Sequence, residues 1–274
     1  YKNYGVWING GDFMVPTKVR YINTDWKHKN VAPKIGSKES RREHTAYQDV
    51  LIEDARPHLE NGKIGLEQTG FTLTNNRSQC SNFRDEELIS SVYLPEMQNL
   101  ICRLTGAKAA YHYGFLVRTE KPIDFNDGYA RFVHCDYNVK RVLDMSHDVL
   151  RENGVDPDES DTFAWFNTWQ PFDHPAINNP LAFIDNSSLA DDDVIDYFYT
   201  GRGRDSLVAA PVYNPSHRWF YFPEMQLDEV IVLKQMDQRP DRVVYCPHTS
   251  FDNPNGGENY PPRRSIETRV VAVF

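Results

Sequence analysis

No apolar run in the sequence approaches the roughly 18 residues of a membrane-spanning helix, and no two cysteines have CxxC spacing. There is no surplus of positive charge either: 30 Lys and Arg stand against 39 Asp and Glu, a net charge of −9. An acidic chain offers no broad basic face, so neither nucleic acid nor an anionic membrane is expected as a partner. Cys80, Cys102, Cys135 and Cys246 are too sparse for a disulfide scaffold. The opening stretch, Tyr1 to Val6, carries no signal-peptide apolar region. From these absences a soluble protein of the reducing cytoplasm is expected. Internal repeats, low-complexity tracts and Gly/Ser linkers are missing too, so residues 1–274 are expected to form one domain. What is present is core-building material: 40% apolar and 13% aromatic residues, enough to exclude global disorder.

Seventeen prolines and fifteen tyrosines favour a β-rich chain with many turns over a helical bundle. Two helices stand out. Leu88, Val92, Met97, Leu100, Ile101 and Leu104 recur at helical spacing after Asp85, with Thr105-Gly106 as the stop signal. Residues 139–153 form a second helical run, closed by Gly154. Strand signals fill 110–118, 129–137, 163–169, 207–213, 219–222, 229–234, 242–245 and 265–274. Helices and strands do not alternate, which excludes a doubly wound parallel sheet. The expected fold is mainly β with flanking helices (α+β), a double-stranded β-helix or cupin-like jelly roll. Residues 1–108 are expected as an N-terminal extension with buttressing helices, and 109–274 as the jelly-roll core.

The segment richest in chemistry is Ala130-Arg131-Phe132-Val133-His134-Cys135-Asp136-Tyr137. As a strand it puts Phe132, His134 and Asp136 on one face and Val133 and Cys135 on the other. An imidazole and a carboxylate two residues apart then form two adjacent corners of a metal site. The best third donor among nine histidines is His248, at the end of a late apolar stretch. Two His and one carboxylate occupy one face of an iron octahedron and leave three positions open. HxD alone is short, and the competing assignment makes His134 and Asp136 a hydrogen-bonded pair within a sheet. The closing segment strengthens the metal assignment. In a jelly roll, the strand after a distal histidine can place Arg263 at the far end of the pocket, with the Ser265 hydroxyl two residues on. A guanidinium there holds a remote carboxylate by two parallel hydrogen bonds. Arg269 shares their parity and is the alternative anchor, while surface ion pairing is the plainer use of each arginine.

Several segments together resemble a known family. They are Leu104-Thr105-Gly106-Ala107, the HxD stretch, Phe166-Asn167-Thr168-Trp169-Gln170-Pro171, Pro180-Leu181-Ala182-Phe183-Ile184-Asp185 and His217-Arg218-Trp219-Phe220-Tyr221-Phe222. Pro247-His248-Thr249-Ser250-Phe251-Asp252-Asn253-Pro254 and 263–269 complete the set. The chain resembles the non-heme iron, 2-oxoglutarate-dependent oxygenases, in the branch of fungal gibberellin-desaturase-like and CmcJ-like proteins. The resemblance implies iron(II) on His134, Asp136 and His248, with 2-oxoglutarate and dioxygen as cosubstrates. It implies oxidation of an unactivated C–H bond in a small secondary-metabolism substrate, by hydroxylation, desaturation or a cyclisation such as aziridine formation from an amino acid. One departure stands out: Gln170 replaces an arginine that relatives carry. Arg118 and Arg131 are the candidate groups for a substrate carboxylate, and Phe132, Phe166 and Phe251 for an apolar wall. Gln170 joins them as a candidate substrate contact. Two rivals are a cupin-type metalloenzyme that does not use 2-oxoglutarate and a non-catalytic partner of a tailoring enzyme.

Overall fold

A computed structural model describes residues 6–8, 12–119, 129–201 and 203–274. Along the chain run β1 (Val6–Ile8), β2 (Asp12–Ile22), β3 (Lys34–Ile35), β4 (Thr45–Asp54) and β5 (Phe71–Asn75). They are followed by β6 (Ala109–Arg118), β7 (Phe163–Pro171), β8 (Leu181–Ile184), β9 (Val194–Tyr199) and β10 (Ser206–Pro211). The last four are β11 (Trp219–Tyr221), β12 (Glu229–Asp237), β13 (His248–Ser250) and β14 (Ser265–Val273). The helices are α1 (Lys38–His44), α2 (Arg56–Glu60), α3 (Glu86–Leu88), α4 (Leu94–Thr105) and α5 (Val142–Glu152).

Two large sheets carry the molecule: six strands in the order β1-β2-β4-β11-β8-β13, and five in the order β5-β12-β7-β14-β6. Phe71, Trp169, Ile231 and Leu233 of the second interlock with Leu181, Phe183 and Phe220 of the first, making one core between them. Burial of such a layer is the main favourable contribution to folding, about 25 cal/mol per Å² of apolar surface. A third sheet has the order β10-β9-β3. This is the expected jelly roll, with helices on its flanks. Residues 1–108 contribute β1, β2 and β4 to the six-stranded sheet, β5 to the five-stranded one and β3 to the third.

The strand period decides what each face of the five-stranded sheet meets. On β14, Ile266, Val270 and Ala272 pack outward against Met97 and Ile101 of α4. Their neighbours Val271 and Val273 point inward to Val149 and Leu150 of α5. Both helices lie where the apolar periodicity puts them. Gly106, in the left-handed conformation (φ 72°), ends α4. Between α3 and α4 the chain widens into a π turn at Ile89–Tyr93.

Two expected strands do not form. Residues 242–245 are irregular. Residues 129–137 make only two isolated bridges, His134 with His248 and Cys135 with Ala209. The reason lies in the partners of four consecutive N–H groups. Val133 donates to Arg20 of β2, His134 to His248 of β13 and Cys135 to Ala209 of β10. Asp136 donates to the side chain of Gln235 on β12. The stretch is a junction among four strands and a regular partner of none. β1 to β5, β8, β9 and β13 carried no recognised strand signal; β4 buries only two of its ten residues and β8 is four residues long.

Candidate metal centre

The backbone first brings the two histidines together. His134 and His248 exchange N–H···O bonds of 3.1 and 3.0 Å, which sets their rings 4.7 Å apart. Each imidazole is then fixed the same way. Nδ1 of His134 donates to the Phe132 carbonyl at 2.8 Å, and Nδ1 of His248 donates to the Cys246 carbonyl at 3.0 Å. Holding the proton on Nδ1 turns both Nε2 atoms toward one point, the arrangement that orients histidine ligands around metals. Asp136 supplies the third group: its Oδ1 lies 3.2 Å from His134 Nε2 and its Oδ2 lies 4.0 Å from His248 Nε2. One donor atom from each residue falls within 4.8 Å of the other two.

Electrostatics agree with the donor set. Burial would raise the Asp136 carboxyl, but the His134 hydrogen bond and the charges of His248, His134 and Arg269 hold it well below the usual carboxylate range. Burial pushes the His248 imidazole down, and His134 beside it pushes the same way. His134 itself is raised: burial opposes its charge, but Asp136 outweighs that. An ionised carboxylate and two imidazoles presenting Nε2 suit a borderline divalent transition ion, so the residues fit iron(II). The side-chain N–H of Asn167 on β7 donates to Asp136 Oδ2. The other end of that amide, Oδ1, is buried without a partner.

Beside the donors lies a cavity of about 200 Å³. Of the residues singled out from sequence, His134, Asp136, Phe132, Arg118 and Arg269 line it. Cys135, Tyr113, Tyr137, Tyr197, Arg141 and Arg204 are among the other residues of its wall. Tyr113 is the extra residue of a bulge on β6, where the register with β14 jumps from Gly114 to His112. Gly114 allows this with φ 142°, a conformation closed to most side chains.

Arg263 and Ser265 occupy the same inward row of β14 and its approach as Glu267 and Arg269. Arg263 is 1% exposed, and no carboxylate of a described residue pairs with it. Its Nη1 donates to the Asn179 carbonyl at 2.5 Å and lies 3.4 Å from Ser250 Oγ. Burial, and then the charge of Arg118, push this guanidinium down to about 9. Arg263 Nε and Ser265 Oγ are buried without partners. Arg269, by contrast, already has an acid, Glu267, at 3.1 Å. Arg263 thus meets β13 at Ser250, two residues, about one strand repeat of roughly 7 Å, along the strand from the metal donor His248.

Four expected substrate residues lie elsewhere. Phe166 faces α4, in the cluster of Ile89 and Met97. Gln170, on the same face of β7, accepts from Tyr93 Oη at 3.0 Å and donates to the Leu227 carbonyl at 2.6 Å. Phe251 packs edge-on against Tyr221. Arg131 is held by Asp252 and by Asn179 Oδ1 at 2.7 Å. Period two explains β7: Trp165, Asn167 and Trp169 point inward, and Phe166, Thr168 and Gln170 outward. Asn167 was therefore findable as the inward neighbour of the tryptophans, whereas Arg141 and Arg204 reach the cavity from a helix start and a hairpin that no local pattern links.

The chain is 26% identical over 250 residues to the Fe(II)/2-oxoglutarate-dependent dioxygenase nvfI of Aspergillus novofumigatus, covering 88% of each chain. It is 29% identical to the alpha-ketoglutarate-dependent dioxygenase phiK of a fungal species, over 82% of this chain and 89% of the relative. It is 29% identical to the hydroxylase/desaturase efuI of Hormonema carpetanum, over 83% and 84%. The solved iron and alpha-ketoglutarate-dependent endoperoxidase NvfI shares the fold, with a TM-score of 0.81 at 21% identity over 97% of this chain and 99% of that one. Among the described residues no helix is long and apolar enough to cross a membrane. Residues 16–274, which hold every strand of the two central sheets except β1 and the start of β2, match the family described as oxidoreductase/YMDC permease-like domain, and the chain belongs to that family.

Proposed function

We propose that this chain is a non-heme iron(II), 2-oxoglutarate-dependent oxygenase that oxidises an unactivated C–H bond of a small secondary-metabolism molecule. The observation that carries it is the convergence of His134, Asp136 and His248 within 4.8 Å, with both Nδ1 atoms bound to backbone carbonyls. Relatives that bear iron and 2-oxoglutarate in their names support the same assignment. His134, Asp136 and His248 hold the iron, and Asn167 orients the carboxylate. Arg263 holds the distal carboxylate of 2-oxoglutarate, with Ser265 beside it. It is preferred to Arg269 because Glu267 already satisfies Arg269, while Arg263 has buried hydrogen-bonding capacity left over. When bound, iron with 2-oxoglutarate and dioxygen supplies the oxidising power for C–H cleavage. The chain's part is to position and to exclude water: Phe132 and the tyrosine wall set where the substrate lies. That position selects hydroxylation, desaturation or ring closure. We also propose a cytoplasmic location and a single domain spanning 1–274, on the acidic, cysteine-poor composition and the core shared by both sheets.

Adding 2-oxoglutarate to the anaerobic iron(II) protein tests this. A metal-to-ligand absorption band should form, and admission of dioxygen should yield succinate. His134→Ala, Asp136→Ala and His248→Ala should each abolish the band. A native protein without the band is not this kind of oxygenase, and metal-dependent turnover without 2-oxoglutarate would move it to the cupin-type metalloenzymes.

A further inference from the structure

The chain carries a net charge of −9, yet its cavity is lined by Arg118, Arg141, Arg204 and Arg269 with Asp136 as the sole carboxylate among the described lining residues. Glu267 answers Arg269. The other three have no ion pair with a described residue, although the chain is rich in acids that could supply one. Arg118 lies opposite Ser265 in register and its charge acts on Arg263, so it belongs to the end of the site assigned to 2-oxoglutarate. Iron(II) bound by Asp136 and a doubly charged cosubstrate leaves one negative charge, which Arg263 balances. Arg141 and Arg204 then remain as cations that neither cofactor uses. Arg141 stands at the start of α5, and Arg204 lies just ahead of β10. Both therefore come from elements other than those that hold Arg263 and the metal donors.

Resting on the oxygenase assignment, we infer that Arg141 and Arg204 bind an anionic group on the substrate, and that the substrate is an organic acid with an apolar body. The wall fits the second half of that description: Phe132 and Tyr197 meet edge to face at 5.6 Å and, with Tyr113 and Met145, give an apolar surface beside the metal donors. A carboxylate matches the planar guanidinium fork better than any neutral polar group does. A cationic cavity in an acidic protein also draws anions in and keeps cations out.

The test is calorimetric titration of the anaerobic iron(II)–2-oxoglutarate protein with 3-phenylpropionate, octanoate and N-acetyl-L-leucine, each against its primary amide. At least one acid should bind about tenfold or more tightly than its amide, and Arg141→Gln and Arg204→Gln should each weaken that acid about tenfold. Arg141→Lys should restore part of the loss. The 2-oxoglutarate absorption band should persist in all three variants, which reports that they are folded and that the cosubstrate end is intact. Amides binding as well as acids, no acid binding, or acids indifferent to both Gln variants would each overturn the inference while the band still forms. Absence of the band from the native protein would instead remove the oxygenase assignment beneath it.

Discussion

Arg263 and Arg269 lie in one row of side chains and differ in what they already hold. Arg269 has Glu267; Arg263 has two neutral acceptors and a buried, unpartnered Nε. Removing the charged partner of a buried carboxylate costs about 2–5 kcal/mol. Arg263→Ala should therefore raise the 2-oxoglutarate requirement by about 30-fold or more, measured as the concentration giving half-maximal succinate release. If Arg269→Ala does this and Arg263→Ala does not, the two arginines exchange roles. Asn167 is the second residue whose role turns on one hydrogen bond. Its amide N–H fixes the Asp136 oxygen that faces His248, and loss of such an orienting partner typically weakens metal binding 10–100-fold. Asn167→Ala should show that loss in an iron(II) or cobalt(II) titration at unchanged folded content, and unaltered metal affinity would remove Asn167 from the site.

At the scale of elements, β7 separates support from chemistry. Its inward face delivers Asn167 to Asp136 and Trp169 beneath Arg263, 5.4 Å from the guanidinium. Its outward face seats Gln170, 1% exposed, on Tyr93 and the Leu227 carbonyl. Gln170→Leu strands both partners in a dry interface, a loss of about 1–3 kcal/mol. The expected result is a lower denaturation midpoint with an unchanged 2-oxoglutarate requirement. A changed requirement at unchanged stability would return Gln170 to the site. The β6 bulge works by the same geometry, since one added residue, Tyr113, brings an aromatic ring to the cavity that a regular strand would have turned away.

For the whole molecule, acid stability turns on a buried chain whose members do not line the cavity. Trp219 donates to Tyr21 at 3.0 Å, Tyr21 donates to His217 Nδ1 at 3.0 Å, and His217 Nε2 donates to Asp193 at 3.0 Å. That order requires a neutral imidazole. Burial lowers the His217 pKa, overcoming the attraction of Asp193. The unfolded chain thus binds the proton more readily, and stability is complete above the unfolded value of about 6.5 and declines as pH falls through the lowered folded value. His217→Gln should flatten that decline in denaturant titrations between about pH 7 and 5. Equal slopes for native and variant would sink the assignment. The sequence by itself determined the helical faces, the shared parity of Arg263, Ser265 and Arg269, and the HxD pair with its distal histidine, because periodicity and short spacing are local properties. It misjudged residues 129–137 as a strand because their N–H groups are shared among four strands that lie apart along the chain. Tertiary structure alone decided which arginine keeps unsatisfied hydrogen bonds and that Arg141 and Arg204 enter the same cavity. Each of these depends on charge and hydrogen-bond partners that no stretch of sequence contains.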